Sequence, residues 1–268
     1  MNSQASAFRD GQPLAWMFHR STARWLFSHP SGSSGQLLQG REHPAAPWTA
    51  LPPGDQLDMG LAAVLDQRVS CRAFDDQPLS MASVATILRN AYGTQGRSTS
   101  ESFELVDRPV PSAGGLYPLE ISLLVRTVDG LEPGIYHYVP LADGLEQLRA
   151  GSIPNRLVRY LFMGQPWVSA AAVVMIISAV TVRSLSKYGD RGYRYLLFEA
   201  GHVSQNIDLV ATALGLGAIN LGGFYDDELA ALLRLQPEFE VPLYATALGV
   251  PASTERMARR ALPIDDFG

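Results

Sequence analysis

Lys187 and Tyr188 stand side by side in the sequence, an amine next to a phenol, and both groups are capable of proton transfer. A second constellation, Arg68-x-Ser70-x-Arg72, carries two guanidiniums and a hydroxyl at alternate positions. In an extended segment alternate residues share a face, and a planar guanidinium fork suits phosphate oxygens. Cys71 between them faces the other way and reads as packing. The run Pro111-Ser112-Ala113-Gly114-Gly115 is built of small residues that let a flat ligand approach the backbone. Gly215-Leu216-Gly217, with Gly222 and Gly223, offers backbone N–H groups to a ring system. It is no dinucleotide fingerprint, because it follows a helix rather than a strand and Asn220 stands where a third glycine belongs. Taken singly, each has an ordinary reading: surface arginines, a turn, a solvated lysine beside a packing tyrosine.

The element that must position these residues is a long helix. From Tyr193 to Leu214 there is no proline, and Gly215 follows where a helix end favours glycine. Leu196, Ala200, Val203, Ile207, Val210 and Leu214 form one apolar stripe at helical spacing. Such a helix is about 33 Å long. A second stripe, Tyr195, Glu199, His202, Asn206, Leu209 and Ala213, is polar but nearly free of charge, unlike a solvated face. The helix is therefore expected to be buried on most sides, partly by a second subunit, with Lys187 and Tyr188 in a loop at its mouth.

Around it, residues 1–56 are rich in Pro, Gly, Ser and Gln and show no persistent period, so they read as an irregular N-terminal arm. Residues 57–268 read as one α+β domain. Its expected helices are Met59–Gln67, Ser80–Tyr92 with Ser80 as N-cap, Pro154–Phe162 and Asp226–Leu233 with Asp226 as cap. Its expected strands are Glu120–Val128, a Gly134–Val139 hairpin turning at Asp143-Gly144, a buried run around Val173, Ala218–Leu221 and Leu243–Leu248. Gly93–Ser102 reads as a surface loop.

Composition sets the outer bounds. The 268 residues are 47% hydrophobic and 18% charged, as in a globular protein with a sizeable core. A net charge of -5 argues against nucleic acid as a partner. One cysteine excludes an internal disulfide, and the five histidines show no helical zinc spacing. Val168–Val182 falls short of a membrane span. The first 20 residues contain no signal-type apolar core, so a cytoplasmic protein without membrane contact is expected.

In this order the motifs resemble the nitroreductase superfamily of flavin enzymes, and within it the SagB-type dehydrogenases that convert thiazolines and oxazolines to azoles. The matching stretches are Arg68-Val-Ser-Cys-Arg-Ala-Phe, Pro111-Ser-Ala-Gly-Gly-Leu-Tyr-Pro-Leu-Glu, Gly134-Ile-Tyr-His-Tyr, Lys187-Tyr-Gly-Asp-Arg-Gly-Tyr-Arg-Tyr, Glu199-Ala-Gly-His-Val-Ser-Gln-Asn, Gly215-Leu-Gly and Leu248-Gly-Val-Pro. They cover roughly residues 58–252. The resemblance implies a nitroreductase-like fold, a mixed central sheet flanked by helices with the long helix at a homodimer interface, and FMN as cofactor. It implies that Arg68, Ser70 and Arg72 hold the FMN phosphate, ribityl chain and pyrimidine ring. Ser112 and Gly114 would lie against the isoalloxazine, and Gly215, Gly217 and Gly222 beside its edge. Gln205 and Arg259 would add cofactor contacts, and Lys187 and Tyr188 would be the catalytic pair. The implied substrate is an azoline on a peptide or carrier protein, with dioxygen as electron acceptor and a cyclodehydratase or synthetase as partner.

Aromatising an azoline sends an α-proton to a base and a hydride to flavin. Free Tyr and Lys titrate near 10 and 10.4, so a base working near pH 7 needs a shift of about 3 units, roughly 4 kcal/mol. A nearby ammonium would favour tyrosinate, and an apolar pocket would favour neutral lysine. The sequence leaves both open. Two other functions compete: an NAD(P)H-dependent nitro or quinone reductase, and a flavin-binding scaffold subunit.

Overall fold

The computed structural model describes residues 12–23, 41, 43–100 and 103–253. Its helices and strands run in the order α1 (Pro13–Ser21), β1 (Trp48–Ala50), α2 (Leu61–Gln67), α3 (Met81–Tyr92), β2 (Gly96–Ser100), β3 (Phe103–Asp107), β4 (Leu119–Val125), β5 (Gly134–Val139) and β6 (Gly144–Ala150). There follow α4 (Asn155–Leu161), β7 (Val173–Val180), α5 (Thr181–Tyr188), α6 (Arg191–Ala213), β8 (Gly217–Leu221), α7 (Asp226–Leu232) and β9 (Glu240–Gly249).

Seven strands form one sheet in the order β1-β6-β5-β4-β7-β9-β8. Every pairing within it is antiparallel, where a mixed sheet was expected. The reason lies in the connections: β4, β5 and β6 follow one another through short turns, which only antiparallel neighbours permit. Parallel contact among the described residues is confined to single bridges such as Ser70 to Ala218. The sheet is covered on both faces, so β4 is buried at all seven positions. Alternate residues divide between two cores. Leu119, Ile121, Leu123, Met175 and Ile177 pack with α3 and α6. Leu124, Val174 and Ile176 pack with α4 and α7.

The apolar stripe of α6 is buried as expected, at Leu196, Ala200, Val203, Ile207 and Val210. Its other side is uneven: Glu199 is buried, while Leu197, Phe198, Gly201, His202 and Gln205 are exposed. Ser80 caps α3 by accepting from the Ser83 amide at 3.0 Å. Tyr225, not Asp226, occupies the cap position of α7, and Asp226 is its first helical residue, where a carboxylate still favours the helix dipole. Two regular elements fall in the stretch read as irregular. β1 joins the sheet edge against β6, and α1 lies on the start of α6. There Arg194 Nε donates to Thr22 Oγ1 at 2.6 Å, and Phe18 meets Tyr193 edge-on. Gly93–Ser102 is not simply a loop either, because β2 pairs with β3 in a separate hairpin.

Candidate active site

Lys187 and Tyr188 are the last two residues of α5, not a loop. Gly189 ends the helix with φ 53° and ψ -148°, a conformation that suits glycine and turns the chain sharply after Tyr188. Three residues on, a methyl group at Gly192 would lie 3.0 Å from the Ser184 carbonyl oxygen, so α5 and α6 meet at a tight corner. The two reactive side chains reach back over the 111–117 loop. A methyl group at Gly114 would sit 2.5 Å from Tyr188 Oη and 2.7 Å from Lys187 Nζ. Amine and phenol therefore converge on one backbone point. Lys187 Nζ lies 5.4 Å from the Tyr188 ring centre, and Tyr195 meets that ring edge-on at 5.0 Å.

Of the 21 lysines and arginines in the chain, Lys187 is the only lysine. Wherever else this protein needs a cation it uses arginine, whose guanidinium stays protonated. The one amine stands where proton transfer is expected. That signal was present in the composition.

Beneath Gly114 the loop is tied to α6. Ser112 Oγ donates to Glu199 Oε2 at 2.6 Å and accepts from the Tyr117 amide at 2.9 Å. Tyr92 Oη donates to Glu199 Oε1 at 2.8 Å and accepts from the Leu119 amide at 3.1 Å. The Arg108 guanidinium covers the Tyr92 ring at 4.4 Å and the Tyr117 ring at 5.2 Å. Burial pushes the Glu199 carboxyl up to about 7, against the hydrogen bonds from Ser112 and Tyr92 and the charge of Arg108. Burial, then the charge of Glu199, raises the Tyr92 phenol well above its ordinary value. The Ser112 hydroxyl thus belongs to the fabric of the loop. Glu199 is the main residue whose part sequence reasoning missed, although it was the one acid in an otherwise uncharged stripe.

Arg68, Ser70, Arg72, Gly215 and Gly217 lie toward the far end of α6. Ser70 bridges Ala218, and the Cys71 amide donates to the Ala218 carbonyl at 2.8 Å, which lays the 68–74 segment beside β8. Cys71 is buried, while Ser70 and Arg72 are exposed and Arg68 is half-buried. The charge of Arg68 acts on Asp208 of α6, whose carboxyl burial pushes up to about 6 despite the hydrogen bond from Asn220. Arg72 lies 5.9 Å from the Trp167 ring centre. Gly217 makes close approach possible: a methyl group there would be 2.5 Å from Cys71 Sγ. Gly215, at φ 71°, turns the chain out of α6. Gly222 is exposed near Tyr244, and Gln205 lies on the exposed side of α6. Arg259 lies outside the described residues. The set fits a flavin mononucleotide in kind, since Arg68, Ser70 and Arg72 offer charged and neutral donors to a phosphate on an anchored segment.

Comparison with known proteins bears on the family and the fold. The profile of the Nitroreductase family matches residues 65–250. The nitroreductase-type protein MJ1384 of Methanocaldococcus jannaschii is 37% identical over 192 residues, covering 72% of this chain and 91% of that protein. The microcin B17-processing protein McbC of Escherichia coli is 30% identical over 180 residues, 65% of this chain and 64% of McbC. The structure of the E. coli microcin synthetase McbBCD with truncated pro-MccB17 bound aligns over 88% of this chain and 91% of the matched chain, at 25% identity and TM-score 0.58. A nitroreductase-type structure from Anabaena variabilis aligns at TM-score 0.68 and 29% identity, over 78% of this chain but 42% of the other.

Proposed function

Because the chain belongs to the nitroreductase family of oxidoreductases, we propose that it is an FMN-dependent dehydrogenase that oxidises a thiazoline or oxazoline, carried on a peptide or carrier protein, to the azole. The observation that carries this reading is the convergence of the only lysine and its neighbouring tyrosine on Gly114. Bound FMN would supply the two-electron acceptor for the hydride, with dioxygen taking the electrons onward.

The chain's own residues handle the rest. Lys187 or Tyr188 takes the α-proton, and the bare backbone at Gly114 gives both side chains room to meet the ring. Arg68, Ser70 and Arg72 would hold the phosphate and ribityl portions. Ser112, bonded to Glu199, keeps the loop in place beneath the reacting ring. The exposed apolar part of α6, Leu197 and Phe198 with Gly201 between turns, is the face a second copy would cover. McbC, which processes microcin B17 and stands in a synthetase complex, supports a peptide-borne substrate and a cyclodehydratase or synthetase partner.

The test is a synthetic peptide carrying one thiazoline or oxazoline, incubated in air with the flavin-loaded protein. The expected product has lost two hydrogens per ring, with one hydrogen peroxide formed. Rapid NAD(P)H oxidation by nitro or quinone compounds with no azole formed would instead make it a reductase. No turnover of either kind would leave a scaffold subunit.

A further inference from the structure

The loop beneath Lys187 is strained, and the way it is held gives a task to Arg183. Gly114 and Gly115 have φ of 68° and 65°, which glycine adopts freely, but Tyr117 sits at φ 43° with a full side chain. Pro118 follows it and narrows its choices further. Such a residue keeps its conformation only when its surroundings over-determine it.

Arg183 stands four residues before Lys187 on α5, so both side chains leave the same side of the helix one turn apart. Lys187 meets the loop at Gly114. Arg183 meets its other end, with Nη1 3.4 Å from the Tyr117 carbonyl oxygen and 2.7 Å from Glu120 Oε1. The guanidinium and the carboxylate are 6% and 4% exposed, so this is no surface pair. Glu120 is itself fixed, accepting from the Arg41 amide at 3.1 Å and lying 3.0 Å from His137 Nε2. His137 Nδ1 in turn lies 3.1 Å from Glu146 on β6. Burial pushes the Glu120 carboxyl up, but the His137 hydrogen bond and the Arg183 charge outweigh it and hold it below its ordinary value. Arg183 is thus anchored to a charged residue braced by three strands.

We propose that Arg183 is a positioning residue: by locking α5 to Glu120 and to the Tyr117 carbonyl, it sets where Lys187 and Tyr188 meet Gly114. The proposal rests on the proton-transfer role assigned above to that pair, and its test needs no turnover. Reductive methylation with ¹³C-formaldehyde labels one side chain, Lys187, besides the α-amine, whose signal is the one that remains in Lys187→Arg. In the flavin-loaded wild type the Lys187 signal is displaced from that of free dimethyl-lysine by the Tyr188 ring. In Arg183→Met it moves most of the way to the free value. In unlabelled Arg183→Met, kcat for azoline oxidation falls about 10–100-fold with KM within threefold, as expected for misplaced groups. Arg183→Lys, which keeps the charge toward Glu120, recovers part of the kcat. Should Arg183→Met not fold, Glu120→Gln is read in the same way. A folded variant whose Lys187 signal stays at the wild-type position overturns the proposal, whatever its kcat. If the wild type oxidises no azoline, the functional reading fails, while the displacement of the Lys187 signal still decides the role of Arg183.

Discussion

Glu120 and Glu199 flank the same loop, are equally buried at 4% and 3% exposure, and behave in opposite ways. Glu120 faces a guanidinium and an imidazole, and its carboxyl is held below the ordinary value. Glu199 receives two neutral hydroxyl bonds, and burial drives it up to about 7. Burial alone therefore does not decide the charge of a carboxylate here; the nature of its partners does. One end of the loop is held by a permanent ion pair, the other by a group that titrates near neutrality.

The largest expected effect tests the ion-paired end. Glu120→Ala leaves Arg183 and His137 buried without their carboxylate, which costs about 3–5 kcal/mol. Urea denaturation should show it, and a loss under about 1 kcal/mol would mean the cluster is solvated. The next effect tests the neutral end. Glu199 binds its proton more tightly when folded, so ionising it weakens the fold as pH rises from about 4.5 to about 7. Glu199→Gln should remove that decline, gaining up to about 3 kcal/mol over wild type at pH 8. Parallel pH–stability curves for the two proteins would refute the raised carboxyl. The contribution of Glu120 has the opposite sign, being lost as acid protonates it. The smallest effect on the fold belongs to Gly201, two residues beyond Glu199, where an added side chain meets open space. Gly201→Leu should leave the stability of the single chain within about 1 kcal/mol, because glycine is a poor helix former. If this face forms the proposed homodimer, ultracentrifugation should find wild type dimeric and Gly201→Leu monomeric. A Gly201→Leu protein that stays dimeric would move the subunit interface elsewhere.

Much of the frame could be read from periodicity. The stripe from Leu196 to Val210 is buried, Ser80 caps α3, and the Asp143-Gly144 turn joins β5 to β6. These are local patterns backed by an apolar period or a capping hydroxyl. The β2–β3 hairpin was hidden because Gly93–Ser102 carries no alternation of apolar residues to mark a strand. α1 was masked by the Pro, Gly and Gln around it. At the site, residue types were legible but their meeting was not. Gly114 and Lys187 are 73 positions apart, and only the antiparallel sheet and the corner at Gly189 bring them together. The Glu120–His137–Glu146 cluster likewise depends on strand register, which sets His137 opposite Glu146. Two site signals were present in the sequence and left unread: that Lys187 is the sole lysine, and that Glu199 is the one acid in its stripe.

The central claim is that Lys187 and Tyr188 manage the substrate proton, and anaerobic single-turnover bleaching of bound flavin by an azoline peptide tests it most directly. Lys187→Ala and Tyr188→Phe, each loaded with FMN and dimeric, should bleach about 10²–10⁴-fold more slowly than wild type, the usual contribution of positioned acid–base groups. If both variants bleach at the wild-type rate, the pair takes no part in the reaction and the azoline assignment is contradicted.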